Sequence, residues 1–239
     1  MTVGTIDESQ RKAAKVVGFS YLFALPPAIF AEFYVRIQLI AFDNAAQTAR
    51  NIMAHERLFR LGIASNLSVF AVDVVLIIAL YMVLVPVNRS LALLATGWGL
   101  IETAILVVAT LSDFDVLRIL SGVDYLRAFD ASQLQALARL SVSAHDATYR
   151  VGLVFAGLRS TAFCFLWFKS RLIPRALAGW GMLASLLMGV SALLLIISPE
   201  LAKVVSVVIY GAPIFVFELT MGFWLLLRGL PAFGVARVE

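Results

Sequence analysis

Apolar residues run along this chain in blocks, each ended by a charge or a proline. Six blocks stand out: Val16–Val35, Leu61–Val85, Ser90–Ser112, Val151–Phe168, Ala176–Ser198 and Val204–Leu227. They hold 18 to 25 residues each. About 20 residues of helix, rising 1.5 Å each, cross a hydrocarbon core of roughly 30 Å. In lipid no water can satisfy an open backbone, so each block must be helical. The pattern predicts an all-α bundle of six transmembrane helices in a single polytopic domain over 1–239.

The connections add detail. Asn44–His55 is rich in Ala and Gln and lacks Pro and Gly, which predicts a short surface helix between the first two spans. Asp130-Ala131-Ser132-Gln133 has the Asp-x-x-Gln form of a capping box. From there Leu134, Leu137, Ala138, Leu140 and Val142 continue without a breaker. The fourth helix is therefore expected to begin near Ala131 and to stand clear of the bilayer. Met1–Lys15 is polar, and the run after it has no small-residue cleavage signature, so it reads as a retained span. Basic residues tie at nine on each side of the bundle, Arg127 and Arg237 among them. The tight clusters Arg11/Lys12/Lys15 and Lys169/Arg171/Arg175 favour both termini on the cytoplasmic side of a cell (inner) membrane.

Composition narrows the class. Of 239 residues, 62% are apolar and 14% charged, against roughly 25% charged in a soluble domain. Mean hydropathy is +0.94. Disorder, a disulfide scaffold and most soluble folds are excluded. The net charge of +4 comes from basic residues scattered beside apolar runs, so no nucleic-acid partner is expected. A single cysteine, Cys164, lies in an apolar run, which rules out an intramolecular disulfide and a cysteine zinc site. His55-Glu56 and His145-Asp146 are too few to indicate a metal, and neither a metal nor a cofactor is expected.

The residues that carry chemistry are ionisable groups inside the spans. One at mid-bilayer costs roughly 2.5–3.5 kcal/mol and by default marks a functional site. Asp73 and Glu102 are each the thirteenth residue of their spans, Arg159 is the ninth of its 18, and Glu218 is the fifteenth of the sixth. Three acids and one base thus sit at similar depth on four helices. One arginine cannot neutralise three carboxylates, so the remaining acids are protonated or reached by water. Asp73, Glu102, Glu218 and Arg159 are the candidate catalytic groups. Asn66, two turns before Asp73, and Trp98, one turn before Glu102, are candidate ligand contacts, together with Glu32, His145 and Tyr149. Glu32 and Arg36 form an i,i+4 pair able to reach the interface. The two histidines fall in the segments outside the spans. Polar side chains also join helices, at about 0.6 kcal/mol each, and that reading competes with the functional one.

The fifth span carries no charge. Its stripe Gly181, Ser185, Gly189 marks a close-packing helix, and a homo-oligomer could form through it. Pro26-Pro27 and Pro213 should kink the first and sixth spans.

Several stretches resemble the bacterial DUF4386 membrane family. They are Ile29–Arg36; Leu58–Gly62 followed by Asp73; Pro86–Arg89 with Leu91–Leu94; Ser121–Leu126, Phe129-Asp130 and Gln133–Leu137; His145; Gly152–Leu158; and Phe217–Leu219 with Leu225–Leu227. The resemblance covers nearly the whole chain. It implies a six-helix membrane protein and supplies no catalytic residues; similar sequences often carry His at the position of Arg159.

Three functions remain open on the sequence. Central carboxyls ringed by aromatics, with two long outer segments as a lid, suit acid–base work on an apolar lipid or isoprenoid-like ligand, membrane lipids being the first partners. The same buried charge suits a proton-coupled carrier. Charges that only join helices suit a non-catalytic membrane partner. Whether the protein is an enzyme is undecided at this level.

Overall fold

The computed structural model describes residues 7–122, 124–126, 128–203 and 205–231. Arg127, Val204 and Arg237 lie outside the described residues. Helix α1 spans Glu8–Leu39, α2 Ala45–Ala54, α3 Glu56–Leu84, α4 Arg89–Leu120, α5 Ala131–Ser170, α6 Arg175–Ile197 and α7 Val207–Leu227. Among the described residues there is no strand. All but α2 are long and apolar enough to cross a membrane. The chain is a multi-pass membrane protein with six spans.

The local chemistry explains the helix ends. Asn44 caps α2, its side chain accepting from the Gln47 backbone N–H at 2.8 Å. Asp130 caps α5: Oδ1 accepts from Gln133 N–H at 2.8 Å, and Gln133 Oε1 accepts from Asp130 N–H at 2.9 Å. That reciprocal pair is the capping box foreseen from sequence. It starts a helix of 40 residues, twice what a bilayer needs.

Two differences from expectation stand out. The third helix does not stop at Ser112 but runs on to Leu120, so Asp113 lies within α4 instead of opening a loop. Around Pro26 and Pro27, α1 stays helical; the irregularity falls one turn later, at Phe30–Val35. There the backbone widens into a π turn, with Arg36 N–H donating to the Ala31 carbonyl five residues back.

The chain divides into two compact units. Unit 1 draws on Met1–Leu25, Val72–Thr103 and Arg150–Glu239; unit 2 draws on Pro26–Ala71 and Ala104–Tyr149. Each has its own apolar core. Unit 1 is packed around Leu80, Phe163, Leu166, Trp167, Phe217 and Leu225. Unit 2 is packed around Val35, Leu39, Ile52, Phe59, Val116 and Val142.

Glycines set the helix spacing in unit 1. A Cβ on Gly157 would lie 2.5 Å from the Gly189 Cα, so α5 and α6 touch backbone to backbone. The Phe217 ring occupies the place a side chain on Gly181 would need. The Gly181/Ser185/Gly189 stripe is thus used within the chain, against α5 and α7. The outward side of α6 carries Leu183, Leu186, Val190 and Leu194, all exposed.

Candidate functional site

The ionisable residues of the spans sort into two clusters, one in each unit. In unit 1, Arg159 on α5 reaches Glu102 on α4. Its Nη2 donates to Glu102 Oε1 at 3.1 Å, and its Nε lies 2.6 Å from Oε2 in an ionic contact that is not angled as a hydrogen bond. Both side chains are almost fully buried, at 7% and 5% exposure. Room for the guanidinium stem comes from Gly99. A Cβ there would lie 2.5 Å from Arg159 Cδ and 2.8 Å from Ile77 Cδ1.

Asp73 on α3 and Glu218 on α7 lie within electrostatic reach of the same guanidinium, as does the buried Tyr21 on α1. Five helices therefore bring ionisable groups to one region. Asp73 and Glu218 are half-buried and make no hydrogen bond among the described residues. Formally, three carboxylates face one arginine.

Trp98, one turn before Glu102, points elsewhere. It lines an open groove of about 430 Å³ between α4, α5 and α6, with Leu91, Leu158, Phe165, Leu186 and Leu193. The groove wall is almost wholly apolar and includes none of the four ionisable groups. Two polar residues line it: Thr161, whose Oγ1 is buried and without a hydrogen-bond partner among the described residues, and Ser185, whose hydroxyl donates to the Gly181 carbonyl at 2.6 Å.

In unit 2, the π turn presents Glu32 and is followed at once by Arg36. Glu32 Oε1 accepts from Asn66 Nδ2 at 2.8 Å, and Glu32 Oε2 lies 3.6 Å from Arg36 Nε. Arg36 also pairs with Asp146 on α5 through a short Nη2–Oδ1 hydrogen bond, and lies 3.8 Å from Asp113 Oδ1 on α4. His145 Nδ1 donates to the Ala109 carbonyl at 3.1 Å and lies 2.9 Å from Asp113 Oδ2. Tyr149 stacks on the His145 ring, with centroids 5.9 Å apart and planes at 12°. His145 is 1% exposed, so although it lies ahead of the counted span it is a buried residue of the long fourth helix.

The structure thus joins Asp73, Glu102, Arg159 and Glu218, and separately joins Glu32, Asn66, His145 and Tyr149. Arg36, expected from sequence as the partner of Glu32, completes the second cluster together with Asp113 and Asp146, which the span counts missed. Asp113 looked like a span boundary, and Asp146 lies on the expected fourth helix but ahead of the span counted from Val151. Only the helical period across Asp146, Tyr149 and the start of the fourth span could have flagged it. His55 is exposed, and Glu56 beside it pairs with Arg60 at 2.7 Å. Among the described residues no group of three or more His, Cys, Asp or Glu is placed to hold a metal.

Comparison with known proteins gives one family. A model described as a domain of unknown function, DUF4386, matches residues 16–229. No curated protein and no solved structure matches the chain.

Proposed function

This chain belongs to the DUF4386 family, and from that premise and the geometry of unit 1 we propose that it binds an apolar, lipid-like ligand within the membrane and exchanges a proton with it. The observation that carries this reading is the surplus of carboxyls. Glu102 engages Arg159 at two points, while Asp73 and Glu218 make no hydrogen bond among the described residues and remain partly accessible. Carboxyl groups placed inside a span at such cost are suited to donating and accepting protons. Arg159 and Glu102 act as a fixed neutral pair that orients the field around them. The groove at Trp98 supports only the apolar half of the reading, since its wall is almost wholly apolar and carries none of the four ionisable groups.

The chemistry is a simple exchange. A carboxyl O–H bond breaks as its proton joins an alkene carbon of the ligand. Loss of a proton from that carbon to the carboxylate restores both. In D2O, deuterium then enters the ligand at carbon. The test is full-length protein in detergent, incubated in D2O with farnesol or monoolein and read by mass spectrometry. Wild type is expected to label at least one probe at carbon. The Asp73→Asn/Glu218→Gln double variant is expected to label neither, with an unchanged melting temperature showing that it is folded. No labelling by wild type, or equal labelling by the folded double variant, overturns the reading.

A further inference from the structure

We propose that the groove between α4, α5 and α6 is the seat of an anionic membrane phospholipid, with an acyl chain along its wall and the phosphate held at one end by Lys169 and Arg175. The groove has the length for this. Its wall runs from Val154 to Phe165 on α5 and from Met182 to Leu193 on α6. At 1.5 Å per residue each stretch rises about 16 Å, close to half of a hydrocarbon core of roughly 30 Å. One leaflet, and so one acyl chain, is about that deep. The wall is also open on its outer side, where Leu158, Phe165, Leu186, Val190 and Leu193 are exposed.

Charge selects the headgroup. On both of these helices the stripe that lines the groove ends in a cation. Lys169 lies one turn beyond Phe165 on α5, and Arg175 lies two turns before Met182 on α6, so each shares the lining face of its helix. The Arg175 guanidinium sits 5.2 Å above the Phe168 ring of α5, which fixes it at the α5–α6 seam. The connection between the two helices is short and anchored. Arg171 takes a left-handed backbone with φ 58°, Ser170 Oγ donates to the Trp167 carbonyl at 3.0 Å, and Leu172 and Ile173 are buried. Lys169 and Arg175 themselves are exposed. Among the described residues neither pairs with a carboxylate, and no Asp or Glu occurs between Asp146 and Glu200. An anion from outside the chain completes them, and basic side chains at a membrane surface favour anionic lipid. A second copy seated here about a two-fold axis along the membrane normal would bring its own Lys169 and Arg175 to the same height. Like charges would then meet, which favours a lipid as the occupant.

The test is native mass spectrometry of full-length, delipidated protein titrated with dioleoyl phosphatidylglycerol, dioleoyl phosphatidylethanolamine or inorganic phosphate. Wild type is expected to take up phosphatidylglycerol saturably and in preference to phosphatidylethanolamine, and inorganic phosphate is expected not to displace the lipid. Lys169→Gln/Arg175→Gln should weaken phosphatidylglycerol binding about 30-fold, the usual worth of two cations at a membrane surface. Lys12→Gln/Lys15→Gln removes the same charge from α1, which lines no part of the groove, and should leave the preference in place. Val190→Trp keeps every cation, fills the groove and should weaken uptake of both lipids. Unchanged melting temperatures show that the variants are folded. Equal uptake of the two lipids by wild type, equal losses in the two double variants, full binding by Val190→Trp, displacement by inorganic phosphate, or a dimer in place of the lipid complex overturns the proposal. Only the groove is shared with the proton-exchange reading, and none of its carboxyls is, so lipid retention and deuterium labelling can each fail alone.

Discussion

Gly99 can be exchanged for alanine to ask whether the Arg159–Glu102 contact depends on close approach. A Cβ at this position would sit 2.5 Å from Arg159 Cδ, where ordinary contact begins at 3.4 Å. The difference, 3.4 − 2.5, requires the stem to retreat by about 0.9 Å, and Ile77 Cδ1 at 2.8 Å closes the alternative direction. A retreat of that size breaks contacts now at 2.6 and 3.1 Å. Overpacking costs about 1–3 kcal/mol, and weakening a buried pair adds to that. Alanine returns up to about 1 kcal/mol of helix preference, so the net loss should be about 1–3 kcal/mol. Gly97 is the internal control: it lies two residues away on the same helix with nothing within 4 Å of its Cβ position. Gly97→Ala should be neutral or stabilising by up to about 1 kcal/mol. Unfolding of both variants in mixed detergent micelles gives the comparison. If Gly99→Ala is as stable as Gly97→Ala, the close approach of Arg159 to α4 is wrong.

Other expectations follow from the same geometry. Arg159→Met should cost about 3–5 kcal/mol by leaving Glu102 unpaired, while adding Glu102→Met should recover most of that loss; a double variant as unstable as the single one would refute the pairing. Asn66→Ala leaves Glu32 Oε1 without its 2.8 Å donor and should cost about 1–3 kcal/mol, measured by the same unfolding assay. Gly157→Ala should push α5 from α6, because its Cβ meets Gly189 Cα at 2.5 Å and Gly189 N at 2.9 Å; cross-linking between cysteines placed on the two helices should slow. The Asp130 carboxylate, outside the spans, is held below its ordinary range by the Gln133 N–H first and the Ser132 hydroxyl next. Its capping is therefore complete above the unfolded-state value near 3.9 and lost as pH falls through the lower folded-state value, so hydrogen exchange at Gln133 and Leu134 should accelerate only in strong acid.

The six spans, the short α2 and the long α5 were all legible because each rests on local signals: an apolar run, an absence of breakers, a capping box. Convergence of Asp73, Glu102, Arg159 and Glu218 was legible from depth alone, since residues at equal height in a bundle have few places to go. Which acid Arg159 would choose was not, because that depends on the gap at Gly99. The extension of α4 past Ser112 was hidden for a similar reason. Asp113 reads as a span end when seen alone. It is tolerated in the helix because Arg36 and His145, 77 and 32 residues away in the chain, come to meet it. The burial of His145 and Asp146's pairing with Arg36 were not legible, because both lie ahead of the counted span and their partners are equally remote. A π turn has no composition of its own, so Phe30–Val35 gave no warning.

The wide turn in α1 also sets the chain's tolerance to length. A π turn holds one residue more than the α-helix it interrupts, and each helical residue advances the axis by about 100°. Deleting a single residue between Phe30 and Val35 would let the segment relax into regular helix without breaking it. The residues before the deletion would then be rotated against those after it, and Glu32 and Arg36 could not both keep their partners, Asn66 for the one and Asp113 and Asp146 for the other. Insertions and deletions in this stretch should therefore be far more damaging than substitutions, though no helix is lost.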